Sequence, residues 1–586
     1  MALSGILWTS TSGLQAVQQQ LQWRTDNISN AQNPTYSRRD AVTTSTGVNS
    51  VQVNVARASD NGLQDQFLTS NAQSSFTTNQ LTYFQRIGDV LGTSQSTPYL
   101  QQAIDNFTGA WKAFETDTSS TTSEANIINT GQALATTISR TSQELDKVEN
   151  EVRGDVSTTV TELNSKLTQL ATINKQLSSE PLATSLNPSL LDTRDSLVRD
   201  ISGIVGVVRV THGDNSVALY THGGVALVDH EANQFDWNNP AGASPWLSLA
   251  NTGGANSLSP PLNSEFTSGK LGAALNVLDA TSKALASTDP KVGVIAKARA
   301  QVDNLAVQLA GQSPGTFGGA YYAATPDRTS DLMGGIANNT LSATNPAVSV
   351  DRNPTFWQNE DNDPAANPAS TYDNTAYTIV TPIPAPYGHT HAAPLNNTAS
   401  TLDYSVTPDP ANATTPTFPV PWRTSAYWDG TQLTSFFTID NGTFGNPPTA
   451  ANAPTLSPSA SFAINANLVN GTNTVKRQSA TAVIAELTDT GRSMTAGGVA
   501  AANQTYSGLA ATIANYHTAG QAGVSDDNTR YTQTTQTLDT RLNSTIGVNM
   551  DTEMAQLTVL QNAYAANARV INVVQTMFDT LLAIGK

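Results

Sequence analysis

Residues 550–584 read MDTEMAQLTVLQNAYAANARVINVVQTMFDTLLAI and contain neither glycine nor proline. Apolar side chains recur along this segment at every seventh position, at Met550, Leu557, Tyr564, Ile571 and Phe578. A second apolar row lies three or four residues from the first, at Leu560, Val574 and Leu581. A repeat of this kind predicts one uninterrupted helix whose apolar seam requires a partner.

The beginning of the chain carries a matching pattern. Four apolar residues again stand seven apart and predict a helix over residues 4–32, namely Leu7, Leu14, Leu21 and Ile28. Arg24 and Asp26 are the only charged side chains before Arg38. A helix in water normally carries more charge, so much of its circumference is expected to contact protein. We therefore predict that the two ends pair as a coiled coil and also pack against neighbouring copies of the chain.

The composition limits the classes of partner. Only 13% of the residues are charged, against about 25% in ordinary soluble proteins. The formal net charge of -17 argues against nucleic acid and anionic lipid as partners, because both attract clustered Lys and Arg. The chain has no cysteine, which excludes disulfides and disfavours a structural zinc site. We expect neither a membrane-inserted helix nor a cleaved secretory signal peptide, because no sustained apolar run occurs.

The middle of the chain alternates between helical and strand-like patterns. Residues 48–57 predict a strand, and residues 60–92, 123–180, 268–311, 498–520 and 525–546 predict helices. After Pro98, five large side chains fall at helical spacing, namely Leu100, Ile104, Phe107, Trp111 and Phe114. Core packing explains this stripe better than a ligand pocket does. Residues 204–229 predict three short strands separated by turns.

Residues 311–470 differ sharply in composition from the rest. They hold 19 of the 28 prolines, no lysine and three arginines, together with eleven carboxylates. Short strand-like runs lie between Pro, Gly and Asn turns. We predict an inserted, β-rich domain that faces solvent, and an unstructured linker is the alternative.

Three asparagines mark the end of the first predicted helix. Asn27, Asn30 and Asn33 recur at intervals of three, and their amides can both donate and accept hydrogen bonds. We expect them to satisfy carbonyls at the helix end and to tether the following segment. The surrounding run 26–38, DNISNAQNPTYSR, resembles the N-terminal motif shared by rod, hook and hook-associated proteins of the bacterial flagellum. Thr35 stands where glycine is usual in that motif, which leaves the turn type open.

Further motifs extend this resemblance. The runs LLDTRDSLV at 190–198 and SGKLG at 268–272 resemble the FlgK family of flagellar hook-associated proteins. GVNMD at 547–551 and the run from Gln561 to Leu582 resemble a C-terminal motif that this family shares with hook and rod proteins. The matches lie at both ends and at 190–310, and they do not cover residues 311–470.

No constellation for catalysis or cofactor binding stands out. His389 and His391 offer two metal ligands, but no third His or Cys stands nearby, and a solvated loop explains them better. The run His222-Gly223-Gly224 is explained by a hairpin turn, since no G-x-S-x-G motif accompanies it. We therefore predict no enzyme activity, no catalytic residue, no metal site and no cofactor.

Together these patterns predict a mainly α fold with β insertions. A long helical rod would be formed by paired N- and C-terminal helices, with an inserted β-rich outer domain. The predicted parts are a terminal coiled-coil assembly domain at 1–59 and 547–586, a helical rod at 60–203, 268–310 and 473–546, a small β insertion at 204–267, and the outer domain at 311–472. The predicted assembly interface consists of the two seams and two asparagines: Leu7, Leu14, Leu21, Ile28, Asn27, Asn30, Met550, Leu557, Leu560, Tyr564, Ile571, Val574, Phe578 and Leu581.

The resemblance implies a secreted, extracellular structural subunit at the hook–filament junction of the flagellum. It implies type III export and assembly into a ring or tube with copies of itself. The other implied partners are the hook protein, the second junction protein and an export chaperone. Two alternatives remain at this point, namely a hook- or rod-type axial protein and a secreted adhesin that acts through residues 311–470.

The seam hypothesis makes a direct prediction. Leu14→Asp or Leu557→Asp should leave the central domains folded but prevent incorporation into a flagellum, because each places a charge in an apolar seam. Electron microscopy of strains that carry these variants would measure filament attachment. Normal filaments in both strains would contradict the seam hypothesis.

Overall fold

The structure is a computed structural model that describes residues 2–45, 51–93, 97–179, 188–239, 245–250, 261–310, 426–428, 433–438, 458–471, 475 and 480–584. The helices of these residues are α1 Ala2–Ser29, α2 Asn61–Leu91, α3 Tyr99–Thr116, α4 Thr121–Ser179, α5 Pro188–Ile204, α6 Gly269–Val277, α7 Ser282–Ala286, α8 Val294–Leu309, α9 Ala466–Val469, α10 Ala480–Thr488, α11 Tyr506–Ile546 and α12 Met550–Ile584. The strands are β1 Arg39–Ser45, β2 Val51–Arg57, β3 Val208–Thr211, β4 Val217–Tyr220, β5 Ala226–Val228, β6 Phe235–Asn238, β7 Trp246–Leu249, β8 Ala426–Trp428, β9 Leu433–Ser435, β10 Phe437–Thr438, β11 Ala463–Ile464, β12 Arg492–Ala496 and β13 Val499–Gln504.

The chain divides into two compact units. The first comprises residues 1–80, 154–275 and 525–586, and the second comprises residues 81–153 and 276–524. The predicted class, mainly α with β insertions, is confirmed, because helices dominate and each sheet within the described ranges is small and antiparallel. The finer division into four parts stays a prediction.

In the first unit, the N-terminal helix packs against the C-terminal one. Helices α1 and α12 contact each other, and α1 also contacts strands β1 and β2. β1 pairs with β2 in an antiparallel hairpin that sets Arg39 opposite Arg57. Sequence patterning predicts β2 but not β1, whose sequence RDAVTTS begins with two charges and lacks a clear alternation.

Two asparagines of α4 hold the small sheets of this unit. Asn164 exchanges hydrogen bonds with the backbone of Phe235 in β6, with its Nδ2 donating at 2.8 Å and its Oδ1 accepting at 2.9 Å. Asn174 does the same with the backbone of Val217 in β4. The strand order β3-β4-β5 confirms the three predicted strands, whereas the hairpin β6–β7 was not predicted. Buried amides thus satisfy strand edges that would otherwise need water.

The second unit has an aromatic core. The predicted stripe on α3 is fully buried, which confirms the expectation that it belongs to the core. The Phe107 ring lies 5.3 Å from the Phe436 ring and 5.2 Å from the Phe437 ring, measured between centroids, and the ring of Phe462 stacks on Phe437 at 4.8 Å. These three phenylalanines belong to the predicted outer insertion. They lie in the core and not in solvent, and β10 and β11 pair beside them. The strand-like run SAYWDG at 425–430 contains β8, which pairs with β9, and the run TAYTIVTP at 375–382 lies outside the described residues.

Helix α8 is buried at every position except Arg299, although it carries several polar side chains. Most of these have a partner outside the helix, and Asn304 accepts from Gln308 within it. Gln301 donates to the carbonyl of Gly497 at 2.8 Å, and Gln308 donates to the carbonyl of Ser493 at 3.0 Å. The turn between β12 and β13 reaches this helix because Gly497 lacks a side chain. A Cβ on Gly497 would lie 2.4 Å from the carbonyl oxygen of Lys297.

Three predicted helices differ from the structure in their bounds or their type. The helix predicted over 268–311 is divided into α6, α7 and α8. Pro290 and Gly293, which has φ of 62°, separate α7 from α8. The helices predicted over 498–520 and 525–546 are the strand β13 and one continuous helix, α11. The alanine-rich strand VAAANQ has the composition of a helix. The turn that creates it comes from Gly497 and Gly498, which both have positive φ.

A buried histidine of the second unit yields a pH prediction. His517 is hydrogen-bonded to Oε1 of Gln301 at 2.8 Å, and burial together with nearby Lys297 lowers its pKa to about 3. The unfolded chain takes up this proton near pH 6.5 while the folded chain does not. Below pH 6.5 the free energy of unfolding of this part of the chain should therefore fall by up to about 1.4 kcal/mol for each step of one in pH. The fall ends where His517 also takes up a proton in the folded protein. His517→Gln should flatten the dependence of unfolding free energy on pH between 5 and 6.5, as measured by urea unfolding.

The exposed imidazole of His230 supplies the matched control. His230→Gln should leave the slope of the pH dependence unchanged. An unchanged slope in His517→Gln would show that His517 does not set the acid sensitivity of this unit.

Candidate assembly interface

The paired helices α1 and α12 run antiparallel. Gly13 lies beside Asn567, since a Cβ built on Gly13 would be 3.5 Å from its Nδ2, whereas Asn27, about four turns further along α1, reaches Glu553. The most buried side chains of α1 are Ser10, Ala16, Val17 and Asn27. The contact therefore centres on a line beside the predicted leucine row. Ala16 and Gly13 let the two helices approach closely.

The predicted interface residues differ in burial. Asn27 and Val574 are buried, at 0% and 4% exposure, while Met550 and Phe578 are exposed. The half-buried members are Leu7, Leu14, Leu21, Ile28, Asn30, Leu557, Leu560, Tyr564 and Ile571. The side chain of Leu581 lies outside the described residues. The structure thus packs the two helices that carry the predicted seams against each other within one chain. Pairing as a coiled coil and contact with neighbouring copies stay predictions.

A buried carboxylate lies between the two helices. Glu553 of α12 is 1% exposed and accepts hydrogen bonds from Arg24 Nη1, at 3.0 Å to each carboxylate oxygen. Asn27 Nδ2 donates to the same carboxylate at 3.1 Å. Arg24 also lies 3.5 Å from the carboxylate of Asp40. A buried charge requires such partners, so the three side chains join the ends of the chain at one point.

Asn27 also tethers the segment that follows α1. Its Oδ1 accepts from the hydroxyl of Tyr36 at 2.8 Å and from the backbone N–H of Arg39 at 3.0 Å, while its Nδ2 donates to the carbonyl of Arg39 at 2.9 Å. Burial raises the pKa of the Tyr36 phenol above its usual value, which keeps it a hydrogen-bond donor at neutral pH. This amide thus holds the chain turn in the way expected for the motif.

The neighbouring asparagines act locally. Asn30 donates to the carbonyl of Asp26 at 2.9 Å, and the Oδ1 of Asn33 accepts from the backbone N–H and the hydroxyl of Thr35. Among the described residues, the non-glycines with positive φ are Asn215 and Asn503, so Thr35 keeps a negative φ. The Asn33 side chain therefore builds this turn without the glycine that is usual in the resembling proteins.

The run LLDTRDSLV lies on α5 and binds the β1–β2 hairpin. Arg57 at the end of β2 contacts Asp192 Oδ1 at 2.8 Å and Asp195 Oδ2 at 2.7 Å. Arg39 at the start of β1 lies 3.6 Å from Asp192, and Arg194 donates to Asp195 at 2.8 Å. Burial would raise the pKa of the Asp195 carboxyl, but the guanidinium groups of Arg194 and Arg57 outweigh it and hold that pKa below its usual range. The motif is thus an electrostatic anchor for the hairpin that follows α1.

A second apolar surface of α12 is left uncovered by the residues that the structure describes. We call it the outer stripe, and it consists of Val559, Val570, Val573 and Met577, which are 66%, 41%, 58% and 49% exposed. These residues fall on one face of the helix, about a quarter to a third of a turn from the face that contacts α1. On α1, Trp8 is 71% exposed. Exposed apolar side chains that share one face mark a surface for association.

Sequence patterning missed the charged members of this site. Arg24 lies seven residues after Val17, and Glu553 lies seven residues before Leu560, so both occupy positions within apolar rows. A single charged residue within an apolar row was the feature of the sequence that could have indicated a buried ion pair. The charges of Arg39, Arg57 and Asp192 carried no signal of their own, because their partners are distant in sequence.

Other kinds of site find little support. No group of three potential metal ligands occurs among the described residues, and His389 and His391 lie outside them. Gly223 and Gly224 form a turn, in which Gly224 has φ of 91°, as the hairpin explanation predicted. Within the part of the chain that the structure covers, no helix combines the length and hydropathy needed to cross a bilayer.

Comparison with known proteins matches this arrangement to a family. Residues 84–314 match the family described as flagellar hook-associated protein FlgK helical domain, and residues 543–584 match the flagellar basal body rod FlgEFG protein C-terminal family. Flagellar hook-associated protein 1 of Escherichia coli (strain K12) is 23% identical over 606 residues, an alignment that covers 99% of this chain and 100% of that protein. The chain belongs to the FlgK family. It is thereby a structural protein of the bacterial flagellum at the hook–filament junction, outside the cell.

Further relatives of the FlgK family are similar over smaller regions. Flagellar hook-associated protein 1 of Bacillus subtilis (strain 168) is 28% identical over 132 residues, which cover 22% of this chain and 24% of that protein. The solved structure of the flagellar hook junction protein FlgK from Burkholderia pseudomallei is 23% identical, covers 43% of each chain and has a TM-score of 0.36. FlgK family members are structural proteins and are not known as enzymes.

The anchor formed by α5 yields a stability prediction. Arg57→Leu leaves Asp192 and Asp195 without the guanidinium that they share, so the hairpin should lose roughly 3–5 kcal/mol of protection. Hydrogen exchange of the amides of residues 39–57 would measure this loss. Lys166→Leu is the control, because it removes a more exposed ion pair with Asp200 and should cost less than about 1 kcal/mol. Equal exchange in both variants would contradict the anchor.

Proposed function

We propose that the chain is a self-assembling subunit that joins the hook to the filament through its terminal helices. Its direct partners would be copies of itself in a ring or tube, the hook protein and the second junction protein. The outer stripe on α12 is the observation that carries this proposal. Four large apolar side chains on one helix face remain 41–66% exposed after α1 has covered the adjacent face. Burying each fully would contribute roughly 1.5–3 kcal/mol.

The low charge of the terminal helices supports association between identical surfaces. Charges repel when a surface meets its own copy, and they must lose water when they are buried. Helix α1 has only Arg24 and Asp26, and Arg24 is already paired inside the chain. The surface of α1 that remains is therefore nearly uncharged, and copies can pack on it with little electrostatic penalty.

We further propose that the chain leaves the cell by flagellar type III export, with an export chaperone that covers an apolar terminal surface beforehand. An exposed stripe of this kind invites association before export, so a covering partner would prevent it. We also propose a purely structural role without catalysis. Under this proposal the polar clusters of the terminal region connect elements to one another.

Two alternatives have separate tests. A hook- or rod-type axial protein shares the terminal motifs, but the match over residues 84–314 favours the hook-associated family. An adhesin acting through residues 311–470 would lose surface binding, and not filament attachment, when that segment is deleted. Electron microscopy of a strain that lacks the whole gene would show hooks without filaments if the proposal holds.

The outer stripe can be tested separately from the inner seam. Val573→Asp should abolish filament attachment and motility, because it places a carboxylate on a surface that neighbouring copies would bury. The thermal unfolding of the monomer should hardly change, since Val573 is 58% exposed. Motility assays, electron microscopy and circular dichroism of the purified variant would measure the three effects.

The control adds the same charge on a different face of the same helix. Asn572 is exposed, and Asn572→Asp should assemble normally. If Val573→Asp also gave motile cells with normal filaments, the outer stripe would not be an assembly surface.

A further inference from the structure

The apolar rows of the terminal helices leave their mutual register undetermined. Leu7, Leu14, Leu21 and Ile28 repeat with the same seven-residue period as the rows of α12. Sliding one helix past the other by seven residues therefore places apolar rows opposite each other again. Small side chains along the contact, at Gly13 and Ala16, add little to distinguish one register from the next.

One polar contact breaks this degeneracy. Arg24 follows Ser10 and Val17 in a row of sevens on α1, and Glu553 precedes Leu560 in a row of sevens on α12. In the observed register the two charges meet at 3.0 Å, with side chains that are 13% and 1% exposed. In a register displaced by seven residues, Glu553 would face an apolar or uncharged neighbour, and its carboxylate would be buried without a countercharge.

We propose that Arg24 and Glu553 are positioning residues that fix the register of α1 on α12. A single polar residue in an apolar helix seam is a known means of selecting register, because the correct alignment satisfies it and the others do not. The inference concerns pairing within one chain, and it stands whether or not the outer stripe mediates assembly.

Asn27 reinforces the same alignment from a second element. Its amide contacts Glu553 while it holds Tyr36 and the backbone of Arg39. Asn27 therefore holds the turn that follows α1 beside Glu553 of α12. The backbone N–H of Arg38 also donates to the carbonyl of Ile546 at 2.7 Å, which joins the two connecting segments. This backbone contact is the competing source of register, and the experiment must separate it from the ion pair.

Cysteine cross-linking reads the register directly, because the chain contains no cysteine of its own. Asn567→Cys is combined in turn with Gly13→Cys, Ile6→Cys or Gln20→Cys in the full-length protein. The Gly13 pair reports the observed register, since the Cβ built there is 3.8 Å from Asn567 Cγ, the atom that a cysteine sulfur would replace. The Ile6 and Gln20 pairs report displacements of seven residues in either direction.

Each pair is then oxidised with and without the double substitution Arg24→Met and Glu553→Leu, which removes both charges and keeps the volume similar. We expect the chain with both charges to cross-link at the Gly13 pair alone. In the double variant the displaced pairs should gain about tenfold in yield, which corresponds to the loss of about 1.4 kcal/mol of discrimination between registers. Helix content by circular dichroism should remain unchanged, because uncharged seams still pack.

The control replaces an ion pair of the second unit in the same way. Arg86→Met with Glu151→Leu removes an exposed pair and should leave the cross-linking pattern as it was. Cross-linking at the Gly13 pair alone in the Arg24 and Glu553 double variant would overturn the proposal and assign the register to the connecting segments. Loss of all three cross-links together with helix content would also overturn it, because the ion pair would then hold the helices together without selecting their register.

Discussion

A carboxylate buried between two helices must be neutralised where it lies, and the terminal region is organised by that requirement. Glu553 supplies the charge from one end of the chain, and Arg24 and Asn27 supply the countercharge and hydrogen bond from the other. Asn27 in turn fixes Tyr36 and Arg39, and Arg39 contacts Asp192. A continuous series of polar contacts thus leads from α12 through the end of α1 and the β1–β2 hairpin to α5. Burial of the apolar seam stabilises the packing of α1 on α12, and the polar contacts fix how the two helices align.

Elsewhere in the first unit, contacts between elements are also formed with few charged side chains. Its helices carry many Ser, Thr and Asn side chains, and these form contacts that ion pairs form in more highly charged proteins. Ser70 and Thr535 share a hydrogen bond of 2.8 Å between α2 and α11, and Asn71 donates to Ser202 on α5 at 2.8 Å. Short polar side chains lose little conformational entropy and need little desolvation. A chain with 13% charged residues can therefore still satisfy its buried polar groups.

Much of the helical framework could be predicted from the sequence, because periodicity is a local signal. The bounds of α2 and α4 agree with the predicted helices to within two residues, and the aromatic stripe of α3 is in the core. The pairing of Arg24 with Glu553 could not be predicted, since the two residues are 529 positions apart and charge alone names no partner. The strand β13 was mistaken for helix because its alanines favour either structure, and a neighbouring pair of glycines decided the outcome. Local rules thus predict elements, while the contacts that join them depend on the fold.

The outer stripe of α12 has a consequence for the life of the protein before it is built into any structure. Every copy exposes the same apolar surface, so the extent of self-association depends on concentration. Two copies meet at a rate that rises with the square of their concentration. At low concentration the subunits stay monomeric, whereas a growing tip at which subunits are concentrated presents each new subunit with a neighbour to bind. Placement can then be governed by local supply, with no chemical energy consumed at the point of addition.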